Sequence, residues 1–237
     1  MSYPEITSSE FSTKYEIKRG VKDSIPVMIG FLTFGLLFGS QAVRKGLTFL
    51  EVPFMTGSNY AGGSEFAAIN VWTNPPAILL ILGITLLINC RHILMGATLA
   101  PWIMKYPKRK VFYWLFLMSD ETWAISLSDT QKRRNFSPTY YITVGWLLYL
   151  TWVISTFMGA YLGNKIGDLT KFGFDMAFPA VFLVILRSMW KSHRMSIPWI
   201  VSLLVSVISY VLIPGGWYVP LGTLAGAVTA WFIVRSL

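Results

Sequence analysis

The sequence has one cysteine, Cys90, and two histidines, His92 and His193. A single cysteine excludes an intrachain disulfide and a thiolate metal site, and two histidines exclude a three-histidine zinc centre within the chain. Charge is scarce as well. Only 13% of the residues are Asp, Glu, Lys or Arg, about half the share of a soluble domain, and none lies between Met195 and Val234. A soluble fold could keep such a run from water only beneath a far larger polar shell. The sequence carries no HExxH, no phosphate-binding loop with its lysine and no Ser/His/Asp motif, so the soluble catalytic classes find no footing. No metal or cofactor is implied.

Apolar residues make up 54% of the chain, with 16 Phe, 11 Tyr and 10 Trp. A bilayer needs roughly 20 apolar residues per crossing helix, and its interfaces favour aromatic rings. The reading is an all-α polytopic membrane protein with no soluble domain of any size. The formal net charge of +9 would suggest nucleic acid in a soluble protein. Here the basic residues sit in short loops between apolar runs, as retention of positive loops on the inner side of the membrane explains. No basic face survives once the spans are removed, so no nucleic-acid partner is expected. The first 20 residues are polar, and Ser24–Val43 is too long for a signal core. That segment is expected to remain as the first span. Residues 1–23 then form a cytoplasmic tail or a surface helix, and residues 24–237 a single transmembrane domain.

Span one carries Gly35 and Gly39, a small-xxx-small face suited to close helix approach. Leu47–Trp72 is long enough to cross, but Asn59-Tyr60-Ala61-Gly62-Gly63-Ser64-Glu65 lies in its middle. Adjacent glycines among polar residues disfavour a continuous lipid-facing helix, and irregular backbone at that depth survives only in protein or beside a wet cavity. Two half-helices around an unwound segment are expected. Ala77–Ala100 is a third span, ended by Pro101. Val111–Ser128 is a shorter apolar run with Asp120 and Glu121 at its middle, and Thr139–Leu162 and Phe174–Trp190 follow. The uncharged tail reads as a hairpin, Ile197–Ile213 and Trp217–Val234, about Pro214-Gly215-Gly216. Gly159 and Gly163 repeat the first glycine pair 124 residues later. An internal repeat would explain the offset, since transporters are often built from related halves; so would chance, since the motif is common.

The number of full spans lies between six and eight. If the N-terminus is cytoplasmic, and neither the interrupted segment nor the Asp-Glu segment crosses fully, 15 of the 20 Lys and Arg residues fall inside. Broken or re-entrant geometry in both segments is therefore favoured.

Intramembrane polar residues are the functional candidates. Asn89, Arg91 and His92 lie within span three, where an arginine costs about 3 kcal/mol to insert. Thr85, Asn89, His92 and Gly96 share a helical stripe, with Arg91 about 100° to one side. Arg91 is either snorkelling to the interface or paired, and Asp120 and Glu121 offer partners at similar depth. That cluster reads as an ion pair or as a proton-coupling network. Asn59, Tyr60, Gly62, Gly63, Ser64 and Glu65, with Asn89, read as a substrate site, because half-helix ends present N–H groups to anions and carbonyls to cations. Asp175 is read as the start of a helix that also contains Pro179.

Tyr60-Ala61-Gly62-Gly63-Ser64-Glu65-Phe66, Arg91-His92-Ile93-Leu94-Met95-Gly96, Ser119-Asp120-Glu121-Thr122-Trp123-Ala124 and Phe178-Pro179-Ala180-Val181-Phe182 occur in this order. Together they resemble the large subunit of the AzlC-type branched-chain amino acid exporters, over nearly the whole chain from Asp23. The resemblance implies a secondary transporter in the cytoplasmic (inner) membrane that exports small hydrophobic amino acids such as valine. It also implies a small hydrophobic partner subunit of the AzlD type. The family pattern usually has Gln where this chain has Glu65, so substrate charge or coupling could differ. Two other classes stay open. One is a membrane enzyme built on Asp120, Glu121 and His92, which would turn over a lipid without transport. The other is a scaffold subunit whose partner forms the pathway, which transport by this chain alone would remove.

Overall fold

The computed structural model describes residues 12–166, 196–213 and 217–235, with single positions between 176 and 190. The described residues form helices and no strand. In chain order these are α1 (Thr13–Arg44), α2 (Glu51–Asn59), α3 (Gly62–Asn70), α4 (Ile78–Asn89), α5 (Arg91–Ile103), α6 (Lys108–Phe116), α7 (Asp120–Arg133), α8 (Pro138–Ile166), α9 (Ser196–Leu212) and α10 (Tyr218–Arg235). Among the described residues three stretches are long and apolar enough to cross a bilayer, Thr13–Arg44, Ile78–Ile103 and Pro138–Gly163, and two shorter apolar helices cover Ser196–Leu212 and Leu221–Ile233. The span expected over Phe174–Trp190, with Asp175 and Pro179, and the turn at Pro214–Gly216 lie outside the described residues. Large apolar side chains such as Phe54, Leu79, Leu86, Ile93, Phe112 and Val211 are exposed. A water-soluble surface seldom tolerates so many, whereas lipid does.

The chain divides into two compact units, one comprising Met1–Ala61 with His92–Phe172 and the other Gly62–Arg91 with Gly173–Leu237. The first is built on α1 and α8. A Cβ at Gly39 would strike the backbone of Thr156 and Ala160, and one at Gly159 would lie 2.7 Å from Leu36 Cα. A Cβ at Gly163 would meet Ser40 Cα at 2.7 Å, and one at Gly20 would meet Thr143 Cγ2 at 2.9 Å. The contact partners advance together along both helices, so α1 and α8 run parallel. Ser155 Oγ donates to the Phe31 carbonyl at 3.2 Å, across the same 124-residue offset that separates the glycine pairs. Residues at equivalent places in the proposed repeat thus face each other across the crossing.

The helix α1 begins at Thr13, eleven residues before the expected start of span one at Ser24. Its charged first turns are held by partners on α7. Arg19 donates to Asp129 at 2.6 Å and to Glu16 at 2.7 Å, and Arg133 donates to Glu16 at 3.3 Å. The Arg19 guanidinium lies 4.4 Å over the Tyr140 ring, and the Tyr140 hydroxyl donates to Asp23 at 2.8 Å. Helix α5 continues through Pro101 to Ile103, where the sequence pointed to a stop at the proline. The buried side chains of Leu99 and Ile103 anchor this last turn in a cluster with Trp114, Phe136 and Tyr141. That packing outweighs the one backbone hydrogen bond that proline removes.

In the second unit α9 and α10 pack antiparallel, as expected of the uncharged tail. Gly222 sits against Ser202 and Ser206, and Gly226 against Pro198 and Ser202. This small-residue crossing repeats the device of the first unit.

The Tyr106 ring packs on Trp114 and Phe136 at 5.0 and 6.1 Å. The loop of Lys105–Lys110 and that of Lys132–Arg134 therefore share one end of the first unit, and Arg19 on α1 meets Asp129 and, through Glu16, Arg133 at that end. Single cysteines in the two loops, in a Cys90→Ser background, should both resist membrane-impermeant thiol reagents in intact cells, because short basic loops stay cytoplasmic. Labelling of one loop alone would refute the shared end. Separately, Gly39→Leu or Gly159→Leu should drive α1 and α8 apart. Thermal-aggregation assays of detergent-purified protein should then show destabilisation of at least about 1–3 kcal/mol, whereas the same change at Gly83, where a Cβ would meet nothing within 4 Å, should be mild.

Candidate functional site at two helix breaks

The first break separates α2 from α3. Tyr60 caps α2 in the left-handed conformation, at φ 44° and ψ 48°. The glycines expected to unwind the segment, Gly62 and Gly63, are helical in the first turn of α3. A non-glycine residue takes the strained position because its side chain is firmly held. Tyr60 is 4% exposed, and its ring stands edge-on to Tyr149 at 5.0 Å. The Tyr149 hydroxyl in turn donates to the Gly57 carbonyl at 2.8 Å. Buried Thr56 and Thr156 share a 2.9 Å hydrogen bond that fixes α2 on α8.

The second break separates α6 from α7. Asp120 and Glu121, expected in the middle of one apolar run, instead open α7. Ser119 is the N-cap, and its Oγ accepts from the Thr122 N–H at 3.2 Å. Carboxylates in the first turn of a helix are favoured by its exposed N–H groups, which is why the chain turns here. The sequence signal was Ser-Asp-Glu-Thr itself, a helix-start pattern lying inside a hydrophobic run.

These two breaks meet in the first unit. The Tyr60 hydroxyl is directed at Ser119 and Thr122, with Glu121 in electrostatic range. It makes no hydrogen bond of good geometry there. Ser119 Oγ lies 3.2 Å from Thr122 Oγ1. Phe116 and Trp146 pack on Tyr149 at 5.7 and 5.4 Å, so the polar spot has an aromatic wall. Ser119 and Thr122 were missed as candidates, although both lie in a quoted family motif. Among the expected residues, Tyr60, His92, Asp120 and Glu121 belong to this unit, as does the exposed Asn59.

Gly62, Gly63, Ser64, Glu65, Asn89 and Arg91 belong to the second unit. Ser64 and Glu65 are fully buried in the first turn of α3. Asn89 ends α4 and Arg91 begins α5, so the polar group sits at a junction between helices. The Arg91 guanidinium reaches Gly63, where an added Cβ would lie 3.1 Å from Nη2. The glycine is therefore needed for the approach of a cation to the start of α3. Among the described residues no group of three or more His, Cys, Asp and Glu side chains is placed to hold a metal ion.

A polytopic helical chain with broken helices and these polar junctions falls in the class of integral membrane proteins. Residues 26–166 match the AzlC protein family, and the chain belongs to it. It is 30% identical over 165 residues to the inner membrane protein YgaZ of Escherichia coli (strain K12), covering 68% of this chain and 64% of that protein. The chain thus spans a little under two thirds of that relative's length. It is also 27% identical over 199 residues to the branched-chain amino acid transport protein AzlC of Bacillus subtilis (strain 168), covering 83% of this chain and 76% of that protein. No solved structure matches it.

Gly63→Val should displace the Arg91 guanidinium, whereas Gly63→Ala asks it to move by only a few tenths of an ångström. Reaction of Arg91 with an arginine-selective dicarbonyl, read by mass spectrometry, should rise several-fold in Gly63→Val and little in Gly63→Ala. Equal reactivity in wild type and Gly63→Val would show that the two residues do not touch.

Proposed function

We propose that this chain is a secondary transporter that exports small hydrophobic amino acids of the branched-chain class across the cytoplasmic membrane, coupled to protons. The observation that carries the reading is the buried Tyr60 hydroxyl, directed at Ser119 and Thr122 at the start of α7 with no hydrogen bond of good geometry among the described residues. A neutral amino acid brings an ammonium, a carboxylate and an apolar side chain into the membrane, and each charge needs a weak, reversible partner. Tyr60 and Ser119 supply hydroxyl donors to the carboxylate, and Glu121 attracts the ammonium. Tyr149 and Phe116 receive a branched aliphatic side chain. The Bacillus relative is named a branched-chain amino acid transport protein, which supports this substrate class.

Glu65, fully buried in the first turn of α3, is the proposed proton-responsive group. Its gain and loss of a proton is the proposed link to the pH gradient. A small hydrophobic membrane subunit of the AzlD type is the proposed partner, with the N-terminus cytoplasmic.

The test is proteoliposomes holding this chain and that subunit, with labelled valine and an imposed pH gradient. Wild type should move valine faster with the gradient than without it. Glu65→Gln, which installs the residue usual in the family pattern, should retain transport and flatten its pH dependence. Valine transport with identical pH dependence in both would remove Glu65 from coupling, and no valine transport at all would overturn the reading.

A further inference from the structure

Helix α7 buries Thr122, Ser126 and Thr130. With Ser119 at its cap, these hydroxyls form one stripe at helical spacing, from the Tyr60 break to the cluster of Glu16, Arg19, Asp129 and Arg133. Several hydroxyls on α1 and α8 bond a carbonyl of their own helix. Ser24 donates to the Gly20 carbonyl, Thr143 to Thr139, Thr151 to Leu147 and Ser155 to Trp152. Ser126 does not follow them: it is 1% exposed, and its Oγ has no hydrogen-bond partner among the described residues. Two more buried polar atoms in the same state mark the two ends of the stripe, Tyr60 Oη and Arg19 Nε.

A buried hydroxyl left dry is costly, and water is the partner that settles it. Successive hydroxyls four residues apart stand about 6 Å apart along a helix, which is two hydrogen bonds with one water between them. Ser119 and Thr122 need no bridge, at 3.2 Å.

We propose that this stripe carries a file of water along α7, and that it is the route by which protons pass between the Tyr60 break and the basic end of the first unit. The proposal rests on the proton coupling read above. Hydroxyls and waters both donate and accept, so a proton can enter at one end of the file while another leaves at the other. At the break the file meets Tyr60 and Glu121, with Asp120 beside it on the first turn of α7. At the far end it meets Asp129 and Arg133 of α7, Tyr15, Glu16, Arg19 and Asp23 of α1, and Tyr140 of α8. Arg19 and Asp129 are partly exposed there, at 16% and 14% of their side chains.

The test separates proton-driven transport from exchange in the same proteoliposomes. Ser126→Leu fills the file and should lower valine transport driven by a pH gradient at least tenfold. Valine–valine exchange without a gradient should stay within about twofold, which also shows that the variant is folded. Ser126→Thr, which keeps the hydroxyl, should retain gradient-driven transport. Gradient-driven transport at the wild-type rate in Ser126→Leu would overturn the water file while leaving proton coupling intact. A wild type indifferent to the gradient would overturn the coupling itself, and the file with it. Should Ser126→Leu fail to fold, Ser126→Cys in a Cys90→Ser background decides the matter. It should react with a small cationic methanethiosulfonate reagent, and an unreactive thiol would overturn the proposal.

Discussion

The parallel crossing of α1 and α8 is the constraint on which the first unit depends. Gly39 and Gly159 lie so close to the opposing backbone that neither has room for a methyl group. In lipid no hydrophobic force draws two helices together, so close backbone approach and the hydrogen bonds it permits must supply the association. Ser155 bonding to the Phe31 carbonyl, and Thr56 to Thr156, are such bonds. Once α1 and α8 are locked, α2 is placed against α8 and Tyr60 against Tyr149. The first break can then reach the start of α7.

Both breaks bring backbone ends and small hydroxyls into the membrane without adding many full charges. Ser119 satisfies one N–H of α7, and Asp120 and Glu121 take the favourable end of that helix's dipole. At the far end of α7, Glu16, Arg19, Asp129 and Arg133 pair with one another.

Much of this was legible in the sequence. Long apolar runs and sparse charge identified membrane helices, and Gly35, Gly39, Gly159 and Gly163 marked the close crossing. Polar residues inside Leu47–Trp72 announced a broken helix. The break falls at Tyr60–Ala61, inside the expected segment, but which residue takes the left-handed position was not legible, because a tertiary contact on Tyr60 overrode the local preference for glycine there. The start of α1 was missed because Glu16 and Arg19 read as surface charges until Asp129 and Arg133, more than a hundred residues away, supplied their partners. Ser119, Thr122 and Ser126 were overlooked because a hydroxyl in a helix looks unremarkable until burial without a partner sets it apart. Pairing of Glu16 and Arg19 across the fold, and the orphaned state of Ser126, are properties of packing that no periodicity encodes.

The central claim is that the meeting of the two breaks at Tyr60 forms the substrate site, and binding of valine to purified Tyr60→Phe protein tests it most directly. The lost hydroxyl makes no hydrogen bond of good geometry among the described residues, so the thermal stability of the variant should match wild type. A hydroxyl that bonds the bound carboxylate contributes about 1.5–3 kcal/mol, so calorimetry should find valine binding weakened by roughly tenfold or more. Unchanged affinity, with stability preserved, would contradict the account and place the substrate elsewhere.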